Sequence, residues 1–337
     1  AASADLARLY ADLGVYRTAP TTSTTTTSSA TTHLQAPSQA LPPAPGGWLS
    51  AAYQTDLATW ANDFSRHIGT VDGKGSNNWV IAGERTASGK PIIANDPHLS
   101  LSAPAIWYFA RLKAPGLDVA GASVPGLPFI LLGRTRQVAW GFTNTAPDVQ
   151  DLYLERIDPA QPGRYETPDG WADFTTRTET FRVKGKPDVV HTVRTTRHGP
   201  VISDAQASHQ ALIDTNRYVL ALRWTALDTD NRAVMAGVRS NRAKSVDELI
   251  AAYEDFHAPM QNVVMADTAG RVAFKATGRV PLRHPDNDIM GVAPSPGWDA
   301  RYDWQGWLPS AQTPEDDGRS GVEQAARLVA ARETLPR

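Results

Sequence analysis

The stretch GSNNWVIAGERTASGKPIIAND, residues 75–96, decides how this chain is read. It begins where a flexible polar run, TVDGKG (70–75), meets alternating apolar residues. NNWVIAG and PIIAND each alternate as half-buried strands do, and SGKP between them is a turn. Gly75 leaves the peptide ahead of Ser76 uncrowded, so the Ser76 hydroxyl can attack the Gly75 carbonyl and shift the acyl group from nitrogen to oxygen. Hydrolysis of that ester frees Ser76 as a new N-terminus. Such a serine carries hydroxyl and α-amine on one residue. An α-amine with an ordinary pKa of about 7.7 to 8.0 is partly neutral near pH 7 and can take the hydroxyl proton. Taken on Gly-Ser alone, a plain turn before a strand is the simpler reading.

Working outward, VAGASV (119–124), FILLG (129–133), QVAWGFT (137–143), DLYLERI (151–157), TFRVK (180–184), DVVHTVRTT (188–196) and VLALRWTAL (219–227) each read as strands bounded by Gly, Pro or Asp. WYFARL (107–112) is ambiguous. NVVMADTAGRVAFKATGRVP (262–281) reads as a hairpin turning at Asp267 to Gly270. Ser245 to Phe256 has a Ser N-cap, an acidic first turn and helical apolar spacing. Upstream of Ser76 lie an amphipathic helix at 4–16, a Thr/Ser/Pro/Gly spacer from Pro20 to Gly47 and a second helix at 48–67. The final EQAARLVAARETLPR (323–337) reads as a helix cut by the chain end, which implies a fragment of a longer precursor.

Composition bounds the partners. The 337 residues are 41% apolar and 20% charged with a formal net charge of −2, which argues against nucleic acid or an anionic membrane surface. No apolar run approaches the roughly 20 residues of a membrane-spanning helix. Cysteine is absent, removing disulfides, thiolate nucleophiles and cysteine-bound zinc. No basic n-region followed by an apolar stretch opens the chain, so no signal peptide is visible. Of the ten tryptophans, among them Trp79, Trp107, Trp140 and Trp224, most read as core rather than as a sugar-binding surface.

The run 75–101 resembles the opening of the β chain in the penicillin amidase family of N-terminal nucleophile hydrolases. Further stretches similar to that family follow in its order at 115–157, RHGPVI (197–202), ALRWTALD (221–228) and 259–283. The resemblance implies amide hydrolysis through an acyl-enzyme on Ser76, with self-cleavage between Gly75 and Ser76. It implies that Asn262, in PMQNVV, donates to the oxyanion and that Asn144, in WGFTNT, lies where a backbone N–H is the second donor. Arg283 matches the arginine that orients the asparagine and the α-amine, and His98, in NDPHL, the residue beside the nucleophile. Relatives carry either glutamine or histidine at that last position, and histidine leans toward the cephalosporin and acyl-homoserine-lactone acylases. Asp148, Gln150 and Asp151, in APDVQDLY, match the segment that supplies a structural Ca²⁺, while catalysis needs no cofactor.

The expectation is therefore an α+β, strand-rich, four-layer αββα N-terminal nucleophile fold. Residues 1–19 would end an α-chain-like segment, 20–75 would form spacer and helix, and 76–337 would open the β-chain-like domain. The expected function is an acylase releasing an acyl group from an amine such as a β-lactam nucleus or a homoserine lactone. The α and β chains of one precursor would form a heterodimer, exported to the periplasm or secreted. The competing reading is a non-catalytic β-rich binding module with an aromatic ligand surface, and cleavage at Gly75–Ser76 separates the two.

Overall fold

The computed structural model describes residues 76–316 apart from 100, 101, 146, 206, 211 and 212. The helices expected at 4–16, 48–67 and 323–337, the spacer and Gly75 lie outside the described residues. The chain forms two compact units. The first, here the serine unit, joins residues 76–151 to Arg223–His284 and 303–316; the second joins Leu152–Leu222 to Pro285–Tyr302.

The serine unit starts with β1 (Asn77–Ile81) and β2 (Ile92–Asp96), an antiparallel hairpin in which Asn77 faces Asp96 and Ile81 faces Ile92. Next come β3 (Tyr108–Ala114), β4 (Leu117–Ser123), β5 (Leu132–Arg134) and β6 (Val138–Asn144). After the second unit's first segment the chain returns with β14 (Gln261–Asp267) and β15 (Val272–Thr277), and later β19 (Glu315–Asp316). These seven strands make one sheet in the order β19-β15-β14-β6-β5-β4-β3, and β14 pairs antiparallel with both β15 and β6. A separate ribbon pairs β16 (Pro281–Arg283) with β18 (Trp304–Trp307).

Alternation along β14 sorts the two faces of the sheet. Val263 and Met265 pack with Val119, Val138 and Trp140 against Val246, Leu249, Tyr253 and Phe256. Those last residues belong to or follow helix α3 (Val246–Tyr253), which pairs with α2 (Ala233–Ser240). Ser245 caps α3, accepting from Glu248 N–H at 3.2 Å. On the opposite face Met260, Val264, Phe274 and Ala276 pack with Val80 and Ile93 of the β1–β2 hairpin. Helix pair, sheet and hairpin are thus three stacked layers, and β14 is buried along its whole length.

The second unit holds β7 (Gln150–Arg156), whose first two residues belong to the serine unit. It continues with β8 (Arg164–Thr167), β9 (Gly170–Asp173), β10 (Thr175–Phe181), β11 (Val189–Thr196), β12 (Gly199–Pro200), helix α1 (Ala207–Gln210), β13 (Tyr218–Trp224), whose last two residues belong to the serine unit, and β17 (Ser295–Pro296). Its core gathers Ile157, Tyr165, Phe174, Val201 and Val219. A buried pair lies beside it: Glu155 Oε1 and His198 Nδ1 are 2.8 Å apart, and the His198 ring stacks on Tyr153.

Three strand expectations shift, one of them VLALRWTAL, which is strand only to Trp224 before a 3-10 turn at Thr225–Leu227. FILLG forms a strand only from Leu132, because Phe129 fills the notch at Gly237 of α2, where a Cβ would stand 2.3 Å from its ring. Asn241, just past α2, also clamps Ile130 by its N–H (2.7 Å) and its carbonyl (2.8 Å). TFRVK is strand only to Phe181. Of the four tryptophans named above, Trp140 is core, whereas Trp79 is 38% exposed.

Candidate active site

Ser76 immediately precedes β1, and its Oγ accepts the backbone N–H of His98, just past β2, at 3.2 Å. The pairing of Asn77 with Asp96 brings the two ends of the hairpin together, so hairpin register places the serine. The His98 ring faces elsewhere, with Nε2 2.7 Å from Asp96 Oδ2. His98 thus meets Ser76 through its main chain.

Two asparagines dock the hairpin on the sheet. Asn95 imitates a strand: its Oδ1 accepts Phe142 N–H (3.2 Å), while its Nδ2 donates to Phe142 O (3.0 Å) and Asn77 O (3.2 Å). This close approach needs Gly141, since a Cβ there would stand 2.7 Å from the Asn95 Cβ. Buried Asn78 donates through Nδ2 to Asn262 O at 2.8 Å. Neither asparagine was singled out in the sequence, although both lie within the 75–96 stretch.

Asn262 sits opposite Thr143 on β6 and Ala276 on β15. Its side chain is buried, and Oδ1 has no hydrogen-bond partner. A buried amide end without a partner costs on the order of 1 to 3 kcal/mol, so its retention calls for an explanation. Asn144 ends β6 opposite Gln261, exposed. Thr145 N–H donates to Met260 O. The hydrogen-bonded positions are therefore 145/260 and 143/262, and Asn144 N–H points away from β14.

Arg283 lies on the ribbon, opposite Trp304. Its buried guanidinium grips Asp151 bidentately (Nε–Oδ2 3.0 Å, Nη2–Oδ1 2.6 Å) and approaches Asp148 Oδ2 at 3.1 Å. Trp304 Nε1 donates to Asp151 Oδ2 at 2.6 Å. Arg223 stacks on Trp304 and Arg279 on Trp307, which fixes the ribbon's outer side. Burial pushes the Asp148 carboxyl up to about 6 against the opposing pull of Arg283, with the Asp151 charge adding to the rise.

This arrangement does not fit a calcium ion. Both Asp151 oxygens are already held by Arg283 and Trp304, and a guanidinium occupies the ground a divalent cation would need. Gln150 opens β7, half-buried. Among the described residues no group of three or more His, Asp or Glu side chains could hold a metal.

Between β2 and strands β3 to β6, on the hairpin face of the sheet, lies a cavity of about 500 Å³ lined by Ile93, Pro97, Trp107, Ala122, Leu132 and Ala139, among others. Pro97, in its wall, precedes His98, whose N–H meets Ser76 Oγ.

The family model described as Penicillin amidase matches residues 4–322. The chain belongs to the penicillin amidase family. It is 35% identical over 246 residues to the acyl-homoserine lactone acylase QuiP of Pseudomonas aeruginosa, covering 72% of this chain and 28% of that protein. The penicillin acylase 2 proenzyme of a Pseudomonas species is 34% identical over 247 residues, covering 72% and 30%. Among solved structures, a thermostable penicillin G acylase from Alcaligenes faecalis aligns with a TM-score of 0.61 at 25% identity, over 71% of this chain and 41% of that one. The chain thus spans about three tenths of the length of these curated relatives. The strand-rich α+β fold of this penicillin amidase family member agrees with that neighbour.

Proposed function

We propose that this chain carries the nucleophile and oxyanion side of an acylase that cleaves a linear amide between an apolar acyl group and a small amine. The observation that carries the reading is Ser76 bonded to His98, whose preceding residue Pro97 lines an apolar cavity, on a hairpin bonded directly to the strand of Asn262. The binding-module reading gives no reason to leave a buried asparagine oxygen unpartnered.

In the proposed reaction the Gly75–Ser76 bond first breaks, leaving an α-amine on Ser76. That amine takes the Ser76 Oγ proton as Oγ bonds to the substrate carbonyl carbon, and the carbonyl π pair moves onto oxygen. Asn262, its amide turned to present Nδ2, and Asn144 N–H donate to that oxyanion. One such donor is worth roughly 3 to 4 kcal/mol in the transition state. The C–N bond then breaks, the leaving amine departs with the proton, and water releases the acid from the ester. The cavity receives the acyl group, burying its apolar surface.

Within the same reading the layers complete to αββα, α and β chains of one exported precursor form the working enzyme, and β-lactam or homoserine-lactone amides are the candidate substrates. The names of the relatives support this class. Intact-mass analysis tests it. Wild type is expected to yield two fragments split ahead of Ser76, Ser76→Ala to stay whole, and only processed protein to hydrolyse aliphatic and arylacetyl amides. An uncut protein with full activity would overturn the mechanism.

A further inference from the structure

A second buried polar atom shares the face of Asn262. Thr145 is 5% exposed, and its Oγ1 has no hydrogen-bond partner. Because Thr145 N–H donates to Met260 O, Thr145 stands opposite Met260, two positions along from the Thr143–Asn262 pair. Residues opposite one another, or two apart, share a face of a sheet. Met260 packs with Val80 and Ile93, so that face is the one covered by the Ser76 hairpin. Asn262 and Thr145 are thus diagonal cross-strand neighbours, about 7 to 8 Å apart along the backbone, and both short side chains must rotate toward each other for the hydroxyl to reach the amide.

The two atoms complement each other. An asparagine amide has a donor end and an acceptor end and gains nothing intrinsic from either orientation. A hydroxyl donating to Oδ1 fixes the acceptor inward and turns Nδ2 outward. As the structure stands Oδ1 is unmet and so is the Thr145 hydroxyl, whereas the hydroxyl of Thr143, directly opposite Asn262, is turned to Asn78 Oδ1 at 3.4 Å.

We propose that Thr145 is a positioning residue for Asn262: its O–H donates to Asn262 Oδ1 in the working state and so aims the amide N–H groups at the substrate oxygen. This rests on the acylase reading above. It adds the device that sets which way the amide faces.

The test uses the 337-residue chain as wild type, Thr145→Val, Thr145→Ser and Ser76→Ala. Valine keeps the shape and removes the hydroxyl; serine restores the hydroxyl. Titration with hexylboronic acid, whose boron takes the Ser76 Oγ electron pair and becomes a tetrahedral anion, reports the oxyanion seat without turnover. Thr145→Val is expected to bind about tenfold more weakly, with serine restoring most of the loss and the melting temperature unmoved. Where the chain turns over an amide, kcat should fall with KM little changed. Should valine disturb folding, Thr145→Ala takes its place with the same expectation. Ser76-dependent binding indifferent to Thr145, or a loss that serine does not repair, overturns the proposal alone. Absence of Ser76-dependent binding to wild type sinks the acylase reading and the proposal with it.

Discussion

Strand β14 and the β1–β2 hairpin face each other across the candidate site and are held by opposite means. β14 is buried residue by residue, with apolar side chains on both faces and ladders on both edges. The hairpin is only partly buried, has no neighbouring strand beyond its own pair among the described residues, and docks through Asn78 and Asn95 as well as Val80 and Ile93. Apolar packing is non-directional and tolerates small shifts, whereas side-chain hydrogen bonds to backbone fix position to a few tenths of an ångström. Asn262 therefore belongs to the stability of the unit. Ser76 is placed by a few polar contacts that can be removed without dismantling the fold.

Met265→Ala attacks the apolar side of this contrast. Met265 is fully buried between the sheet and α3, and truncation should cost about 2 to 5 kcal/mol. Denaturant unfolding would show the midpoint falling for the whole serine unit, hairpin included. A local loss confined to the hairpin would contradict the picture. Gly141→Ala attacks the polar side. The new Cβ collides with Asn95, so the hairpin must lift, at an expected cost of about 1 to 3 kcal/mol. Asn95→Ala should cost a similar or slightly smaller amount by removing three bonds. Both should raise hydrogen exchange in β1 and β2 while leaving β14 protected, and equal exchange in both regions would break the comparison.

The same contrast explains what could be read from sequence. Apolar alternation marked β1, β2, β4, β6 and β7, each of which buries a face, while continuous apolar arms and the Asp267–Gly270 turn marked the β14–β15 hairpin, buried on both faces. Helix α2 was not foreseen: AVMAGVRS is short and centred on a glycine whose reason, the Phe129 ring, lies more than a hundred residues away. In the site, residue types were legible but partners were not. Asp148 and Asp151 read as hard oxygen donors for a cation, which they are. That the cation is Arg283 depends on a ribbon pairing distant in sequence. Likewise His98 was legible as a neighbour of Ser76, but not that its N–H rather than its ring makes the contact.

The smallest expected effect concerns Asp148, at the boundary between the two modes of holding. Its folded-state pKa of about 6 lies above the ordinary 3.8, so the folded protein binds that proton more tightly than the unfolded chain does. This contribution to stability is present below about pH 4 and is lost as pH rises through about 6. In Asp148→Asn the group cannot titrate, so the stability of wild type minus variant should fall across that window and level off above it. Thermal melts of both proteins at pH 4, 5, 6 and 7 check the sign, and a difference that grows with pH would show Arg283 outweighing burial. Added Ca²⁺ or a chelator should leave either midpoint in place, because Arg283 already supplies the positive charge these carboxylates face. A rise of several degrees with Ca²⁺ would mean that the guanidinium yields its seat to the metal.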